Sequence, residues 1–277
     1  MIDKLFLRRK IEEFLQEDIG YSDITTDSLD VYKNVKAVFI AKEELVVAGL
    51  DFALDVFSFI DKTINFEKFE EEGQKVEKGK ILASVEGDGK SILKGERLAL
   101  NILQRLSGIA TNTRKYVEAL SGLNTYILDT RKTTPGFRAF EKYAVRVGGG
   151  KNHRFALYDM VMLKDNHIKM VGSIKEAVRQ VKSKISPMVK VEVEVSNLEE
   201  FKEALELDVD IIMLDNMSLE EIKEAVKLNN GQKKLEVSGN ITLENIRSYA
   251  QTGVDFISSG ALIHSARWVD ISLKFID

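Results

Sequence analysis

Basic residues crowd into one stretch of the chain, DTRKTTPGFRAFEKYAVRVGGGKNHR, although the whole protein has a formal net charge of -4. Between Arg131 and Arg154 the single acidic residue is Glu141. The cations of this stretch are Arg131, Lys132, Arg138, Lys142, Arg146, Lys151 and Arg154. A charge run of this kind is often only a solvated face. Because guanidinium and ammonium groups also bind carboxylates and phosphates, the stretch is a candidate site for a compact anion.

Further charged residues follow the ends of predicted strands in the second half of the chain. Lys164 follows YDMVML, Glu194 lies in VEVEV, and Asp215 follows DIIML. Each has an ordinary structural alternative, since Glu194 or its neighbour Glu192 could pair with Lys190. Asp215 could cap the next helix, and Lys164 could be a surface lysine. Their shared position at one end of successive strands favours a single polar site instead.

Two glycine-containing turns, VSGNIT and SSGALIHSA, each lie between a predicted strand and a predicted helix. Backbone N–H groups around Ser238, Gly239 and Gly260 could bind a phosphate there, and phosphate sites near the last strands recur in barrels. Glu194 and Asp215 suit Mg²⁺ brought by a phosphorylated substrate, because magnesium takes one or two protein carboxylates. The cationic group that would bind carboxylates and phosphates consists of Arg131, Lys132, Arg154 and Lys164.

The elements that must position these residues alternate between strand and helix. The predicted strands are TYILD, YDMVMLK, MVKVEVEV, DIIML, KLEVS and DFISS, with helices around 172–184, 198–206, 218–228 and 242–252. This alternation predicts a parallel sheet with covered faces. In MVKVEVEV, Lys190, Glu192 and Glu194 share one face, where a doubly wound sheet would bury them at high cost. An incomplete barrel of about six strands accommodates these charges better and places active groups at the strand C-terminal ends.

The first part of the chain has a different pattern. Apolar residues at helical spacing predict a helix over residues 2–17. Short runs between residues 36 and 93 (VKAVFIA, ELVVAGL, INFEKF, KILASVEG and KSILKG) predict an antiparallel sheet. Part of this module is similar to lipoyl or biotinyl carrier modules, but it has no obvious carrier lysine and is interpreted as scaffold. A long helix is predicted from Glu96 to Leu120.

Composition argues against several classes of protein. The absence of cysteine removes disulfides, thiolate catalysis and cysteine zinc sites, and the three histidines are too scattered to indicate a histidine metal site. The mild acidity argues against nucleic acid as a partner. No run approaches the roughly 18–20 apolar residues of a membrane span, and the N-terminus is charged. We therefore expect a cytoplasmic protein without a membrane partner.

The stretch DTRKTTPGFRAFEKYAVRVGGGKNHRFALYDMVMLKDNHI closely resembles the core signature of the quinolinate phosphoribosyltransferase family. The resemblance continues through EDIGYSDITTD, GERLALNILQRLSGIAT, VEVEVSNLEE, IIMLDN, VSGNIT, SSGALIHSA and DISLKF. It implies an N-terminal open α/β sandwich followed by an incomplete α/β barrel. We place the sandwich domain at residues 1–104 and the catalytic barrel at 105–266, with the tail 267–277 able to return to the first domain.

The resemblance also implies an activity. Enzymes of this family join quinolinate to phosphoribosyl pyrophosphate with Mg²⁺, giving nicotinate mononucleotide, pyrophosphate and CO₂ in de novo NAD biosynthesis. They act as homodimers with shared active sites or as larger assemblies of dimers. The alternatives are a phosphoribosyltransferase of the same fold with another acceptor, such as the molybdenum-transport-associated relatives, and a non-catalytic regulatory or carrier protein.

Matched position by position, the resemblance implies a role for each site residue. The residues that would bind quinolinate are Arg131, His153, Arg154 and Lys164. The residues implied in catalysis are Lys132, Lys164, Glu194 and Asp215, and the last two would also hold the metal. The hydrogen-bond donors to the 5′-phosphate would lie around Ser238, Gly239 and Gly260. Arg97 would act in the pocket of a neighbouring subunit, unless it only pairs with Glu96 or Glu118. Asn240 departs from the family pattern, which commonly has a second glycine there.

Overall fold

The computed structural model describes residues 2–276 of the chain. These residues form two compact units. The first unit runs up to Arg114 and also includes Thr134–Gly149 and the chain from Ala266 onward, while the second contains Lys115–Thr133 and Gly150–Ser265. None of the described helices combines the length and apolar character that a membrane span requires. The domain ranges 1–104 and 105–266 stay a prediction.

The first unit contains an antiparallel sheet with helices. In chain order its elements are α1 (Lys4–Ile19), α2 (Ile24–Asp27), β1 (Asn34–Ala41), β2 (Leu45–Val46), α3 (Leu50–Ile60), β3 (Asn65–Lys68), β4 (Lys75–Val76), β5 (Ile81–Asp88) and α4 (Gly89–Ala119), the last residues of α4 belonging to the second unit. Later in the chain come α5 (Arg138–Val147) and a final strand (Ile271–Ile276). Within residues 2–276 this sheet has four strands in the order final strand, β1, β5, β3, and β2 pairs separately with β4.

The central residues of β1 are buried in the sheet. Ala37 and Phe39 are fully buried, opposite Phe275 of the final strand and Ala83 of β5 respectively. Because alternate residues of a strand face the same side, this spacing forms the apolar core of the sheet. The C-terminal residues of the chain thus add an edge strand to the N-terminal sheet.

The prediction of a strand over KSILKG is wrong, because these residues open α4. Asp88 accepts hydrogen bonds from the backbone N–H and the hydroxyl of Ser91, which stabilises the start of the helix. Ile92 and Ala99 are fully buried at helical spacing. A short apolar run cannot be assigned to strand or helix by its periodicity alone, and here the longer helical pattern decides.

The second unit alternates strands and helices. Its elements are β6 (Tyr126–Leu128), β7 (Val161–Leu163), α6 (Asp165–Val171), α7 (Ile174–Lys182), β8 (Val191–Val195), α8 (Leu198–Leu205), β9 (Ile211–Asp215), α9 (Leu219–Asn229), β10 (Lys234–Ser238), α10 (Ile246–Ala250), β11 (Phe256–Ser258) and α11 (Ala261–His264). The final strand of the first unit is accordingly β12. Each of the strands predicted for this part of the chain is present.

The sheet of the second unit is parallel, with the strand order β6-β11-β10-β9-β8-β7 among the described residues. Strands β7 to β11 follow one another in sequence across the sheet, and β6 joins β11 at the far edge. This is the order of a barrel interrupted between β6 and β7, whereas a doubly wound sheet reverses its strand order near the middle. The predicted α/β fold with an incomplete, six-stranded barrel is confirmed.

Register brings the strand ends together. Ser238 lies beside Asp215, and Ser258 lies beside Leu128. The loops that follow these strands therefore meet at one rim, as in other barrels. The helix after β9 is capped by Ser218, whose hydroxyl accepts from the backbone of Glu221. The cap of α9 is therefore Ser218, and the Asp215 side chain is available to the rim.

Candidate active site

A pocket of about 900 Å³ lies at the C-terminal ends of the parallel strands. Its lining comes entirely from the second unit. The predicted site residues that line it are Arg131, Lys132, His153, Arg154, Lys164, Glu194, Asp215, Ser238, Gly239 and Gly260. Strand alternation and strand order thus gather residues that are up to 129 positions apart in the sequence, which agrees with a single polar site.

Arg97 belongs to the first unit and is exposed on α4. Among residues 2–276 the structure shows no ion pair between Arg97 and either Glu96 or Glu118. The alternative in which Arg97 only forms an ion pair with Glu96 or Glu118 of the same chain therefore has no support in the described residues.

Two arginines form the cationic wall of the pocket. Arg154 is buried, and its guanidinium donates to the backbone oxygen of Met160 at 3.1 Å. Burial lowers the pKa of Arg154, and the positive charge of Arg131 lowers it further. Two guanidinium groups close enough to repel each other favour an anion between them, because the anion offsets the repulsion. This wall suits a carboxylate-bearing ligand.

Asp129 fixes the loop that carries Arg154. Its carboxylate is fully buried and accepts hydrogen bonds from the side chain of Asn152 at 2.6 Å and from the backbone N–H of His153 at 2.9 Å. A buried carboxylate with several donors holds backbone in place strongly. Sequence reasoning placed Asp129 at the start of the basic stretch but gave it no role.

Lys164 and Glu194 contact each other in the pocket. Glu194 lies on β8, and its side chain is 14% exposed, whereas that of Lys164 is 42% exposed. Neither Glu194 nor Glu192 pairs with Lys190 in the described structure, so that alternative is excluded. Asp215 accepts a hydrogen bond at one oxygen, Oδ2, from the side chain of Asn216 at 2.8 Å. The acidic pair, Glu194 and Asp215, thus presents carboxylate oxygens on adjacent strands.

Beneath the pocket lies a cluster that sequence reasoning missed: His153 with the fully buried Glu192 and Glu236. His153 Nε2 lies 3.0 Å from Glu192 and 3.6 Å from Glu236. His153 Nδ1 accepts a hydrogen bond from the backbone N–H of Arg154 at 2.7 Å. Because Nδ1 carries no proton in this arrangement, the ring proton lies on Nε2 and faces the glutamates. These separations indicate an electrostatic contact between the histidine ring and the two carboxyl groups.

Glu236→Gln is expected to raise the melting temperature by several degrees at pH 8.5 and to change it little near pH 5. Burial away from water, and then the charge of Glu192, raise the pKa of Glu236 from an ordinary value of 4.5 to about 8. The unfolded chain releases this proton at lower pH than the folded protein, so stability is lost as pH rises between the two values. The amide variant avoids that loss.

Thermal unfolding between pH 5 and pH 9 measures this effect. Glu67→Gln, at an exposed position of β3, is the matched control and should leave the pH profile unchanged. Equal profiles for wild type and Glu236→Gln would contradict the assignment of a raised pKa to Glu236.

Other pocket residues were also missed by sequence reasoning: Met162, Met213, Asn216, Thr242 and His264. Met162 and Met213 are buried and add apolar surface to a largely polar site. His264 lies against Gly260, where a Cβ would come within 2.9 Å of both the His264 ring and the Lys132 side chain. Only a glycine at position 260 leaves room for these two side chains. The glycine in SSGALIHSA is therefore the sequence signal that could have indicated the close approach of His264.

Comparisons with known proteins cover nearly the whole chain. Residues 23–107 match the family model described as quinolinate phosphoribosyl transferase, N-terminal domain, and residues 109–274 match the C-terminal domain of the same family. A Synechocystis protein named probable nicotinate-nucleotide pyrophosphorylase [carboxylating] is 46% identical over 96% of this chain and 91% of its own length. A Bacillus subtilis protein of the same name is 42% identical over 98% and 94%.

A solved structure agrees with these matches. The nicotinate-nucleotide pyrophosphorylase of Francisella tularensis superimposes with a TM-score of 0.95 at 42% identity, covering 100% of this chain and 98% of the other. Its similarity extends through both units of the chain.

Proposed function

The chain belongs to the quinolinate phosphoribosyltransferase family, and we propose that it transfers phosphoribosyl from phosphoribosyl pyrophosphate to quinolinate with decarboxylation. The family resemblance inferred from the sequence is confirmed by these matches. The products would be nicotinate mononucleotide, pyrophosphate and CO₂, as in de novo NAD biosynthesis. The observation that carries the proposal is that one pocket joins two guanidinium groups, two carboxylates on adjacent strands and two glycine turns.

The reaction needs positioning and charge stabilisation more than a protein nucleophile. The pyridine nitrogen attacks C1′ of the ribose while the bond from C1′ to the pyrophosphate oxygen breaks, so positive charge develops on the ribose and negative charge on the leaving group. A pocket that fixes both substrates and offers charges to both ends lowers this barrier. The quaternised ring then loses its 2-carboxylate as CO₂, the electron pair stays on C2, and a proton replaces the carboxylate.

The pocket divides between the two substrates. Arg131 and Arg154 would bind the carboxylates of quinolinate, with Lys164 and His153 beside them. Lys132 would meet the phosphoribosyl pyrophosphate, whose 5′-phosphate would accept hydrogen bonds at the two glycine turns around Ser238, Gly239 and Gly260. A dense cationic wall in an acidic protein has a physical reason here, because both substrates are polyanions.

Glu194 and Asp215 would hold Mg²⁺. Both are carboxylates on adjacent strands, and Asp215 has only one oxygen engaged by Asn216, so the donor set fits a hard cation that keeps several waters. When bound, the ion would supply charge neutralisation to the departing pyrophosphate. Glu194 also contacts Lys164, and the lysine would turn from this carboxylate to one of the quinolinate carboxylates in the substrate complex.

Asp215→Asn is expected to raise the KM for phosphoribosyl pyrophosphate and the Mg²⁺ requirement by about tenfold, since one charge-assisted contact is lost. The KM for quinolinate should change less than about twofold. Steady-state kinetics with each substrate and Mg²⁺ varied in turn measures this. Loss of quinolinate binding alone would reverse the assignment of the acidic pair.

We further propose a homodimer with shared active sites, or a larger assembly of dimers, in which Arg97 reaches the pocket of a neighbouring subunit. We also propose a cytoplasmic location for the enzyme. Neither nucleic acid nor a membrane is a proposed partner.

The test of the activity uses purified protein with quinolinate, phosphoribosyl pyrophosphate and Mg²⁺. Mass spectrometry should detect nicotinate mononucleotide together with pyrophosphate. Turnover of phosphoribosyl pyrophosphate with another acceptor and none with quinolinate would favour a different phosphoribosyltransferase. Binding of both substrates without product would indicate a non-catalytic protein.

A further inference from the structure

Two asparagine side chains connect the turn after β10 to the end of β9. Asn240 Nδ2 donates to Asn216 Oδ1 at 3.1 Å, and Asn216 Nδ2 donates to Asp215 Oδ2 at 2.8 Å. We propose that Asn240 and Asn216 form a latch, a pair of side-chain hydrogen bonds that fixes the turn at residues 238–242 relative to Asp215. The turn that would bind the 5′-phosphate and the carboxylate that would bind the metal at the pyrophosphate end are then held at a fixed separation. The identity of the ligand in this inference, phosphoribosyl pyrophosphate, rests on the proposed function.

The backbone at both asparagines supports this role. Asn240 has a φ of 50° and Asn216 a φ of 54°, in the left-handed region that glycine and asparagine tolerate best. Glycine would meet the same backbone requirement at either position but could not make the side-chain bond. The asparagine side chain at position 240 therefore adds a contact that the backbone conformation alone does not require.

Further contacts fix the orientation of both amides. Asn216 Oδ1 accepts from Asn240 while its Nδ2 donates to a carboxylate, so a flip of the Asn216 amide would break both bonds. On the other side of the turn, Asn245 Nδ2 donates to the backbone oxygen of Asn240 at 2.9 Å, and Asn245 Oδ1 accepts from Thr242 at 2.8 Å. The turn is thus held from both ends.

Gly239 shows how closely the turn approaches Asn216. Its φ is 101°, and an added Cβ would clash with the Asn216 side-chain amide. The backbone N–H of Asn216 also donates to the oxygen of Ser238 at 3.0 Å. Any movement of the turn that displaced its N–H groups from a phosphate would therefore have to displace Asn216, and with it the hydrogen bond to Asp215.

The latch makes a specific kinetic prediction for Asn240→Gly and Asn216→Gly, which remove the side chains but keep the left-handed backbone accessible. Each should raise the KM for phosphoribosyl pyrophosphate about three- to tenfold, the size expected for the loss of one hydrogen bond in Asn240→Gly and of two in Asn216→Gly. The KM for quinolinate should stay within about twofold, since its proposed residues lie elsewhere in the pocket. Because either change breaks the same link, the double variant should be no worse than the more affected single variant.

Asn230→Gly is the matched control, because Asn230 is also left-handed, with a φ of 42°, but caps α9 outside the pocket. It should alter neither KM. Asn240→Asp keeps the size of the side chain but replaces the donating NH₂ group with an oxygen, so that two acceptor oxygens face each other at Asn216 Oδ1. This variant should therefore be at least as impaired as Asn240→Gly. Independent, multiplicative effects of the two glycine substitutions, or unchanged KM values, would overturn the latch.

Hydrogen exchange tests the latch without relying on catalysis. In the ligand-free protein, the amides of residues 239–242 should exchange faster in Asn240→Gly and Asn216→Gly than in wild type and in Asn230→Gly. Unchanged exchange in both variants would overturn the latch even if the enzyme were active. Absence of product from the wild-type protein would instead overturn the proposed reaction, so the two failures are distinguishable.

Discussion

Arg97→Ala and Lys132→Ala proteins are each expected to lose at least about 100-fold in kcat/KM, and mixed dimers of the two are expected to recover activity. Lys132 lines the pocket of the second unit, whereas Arg97 lies exposed on α4 in the first. In the proposed shared site, each homodimer lacks one group in every pocket. A mixed dimer has one pocket without either group and one pocket with both. Its activity should reach at most about half of the wild-type value, because only one of the two pockets is complete.

A second mixture provides the matched control. Wild type combined with the double variant Arg97→Ala, Lys132→Ala gives dimers in which every shared pocket lacks one group, so these dimers should be nearly inactive. If Arg97 acts within its own subunit, the outcome is inverted: this mixture keeps half the activity and the first mixture none. Two different affinity tags isolate the mixed dimers, and steady-state kinetics on them decides between the arrangements.

Arg131→Met is expected to lower kcat/KM for quinolinate at least about 30-fold, since a lost charge-assisted contact to a partly buried ligand costs about 2–5 kcal/mol. The same change should leave the melting temperature of the free protein equal or slightly higher. The reason is that the Arg131 charge opposes that of the buried Arg154 and lowers its pKa, so removing it relieves repulsion in the empty pocket. Quinolinate should raise the melting temperature of wild type and not that of the variant.

Lys151→Met serves as the control for Arg131→Met. Lys151 lies in the same basic stretch and unit, but its ammonium group lies 3.3 Å from the centre of the Tyr126 ring, outside the pocket lining. The kinetic constants of the Lys151→Met protein should stay within about twofold of those of the wild type. A clear loss of thermal stability in ligand-free Arg131→Met, with quinolinate kinetics unchanged, would show that Arg131 is a structural residue.

The parallel sheet could be predicted because its strands are short apolar runs at regular spacing between amphipathic helices. The alternation in MVKVEVEV also pointed correctly to a polar barrel interior, where Glu194 lines the pocket and Glu192 is buried. The sequence did not reveal that Glu236 of the neighbouring strand KLEVS joins Glu192. That pairing depends on strand order and register, which a local pattern does not contain.

Two of the longer helices that the sequence did not predict, α3 and α5, were missed for a different reason. The polar residues of α3 (Leu50–Ile60) do recur at helical spacing, at Asp51, Asp55 and Ser58, but the short apolar runs around this segment suggested an antiparallel sheet. The helix α5 (Arg138–Val147) lies within the basic stretch, whose charges drew attention to ligand binding. The structure assigns Arg138 and Arg146 to the first unit, whereas Arg131 and Arg154 line the pocket in the second. Only part of the basic stretch therefore forms the cationic wall.

In the proposed function, this pocket couples phosphoribosyl transfer to loss of the 2-carboxylate of quinolinate. The most direct measurement is the ratio of CO₂ released to nicotinate mononucleotide formed when quinolinate and nicotinate compete at equal concentration. We expect one CO₂ per nucleotide, because the two guanidinium groups select the dicarboxylate and nicotinate is left unused. Nucleotide formed in clear excess over CO₂, or none formed from quinolinate, would contradict it.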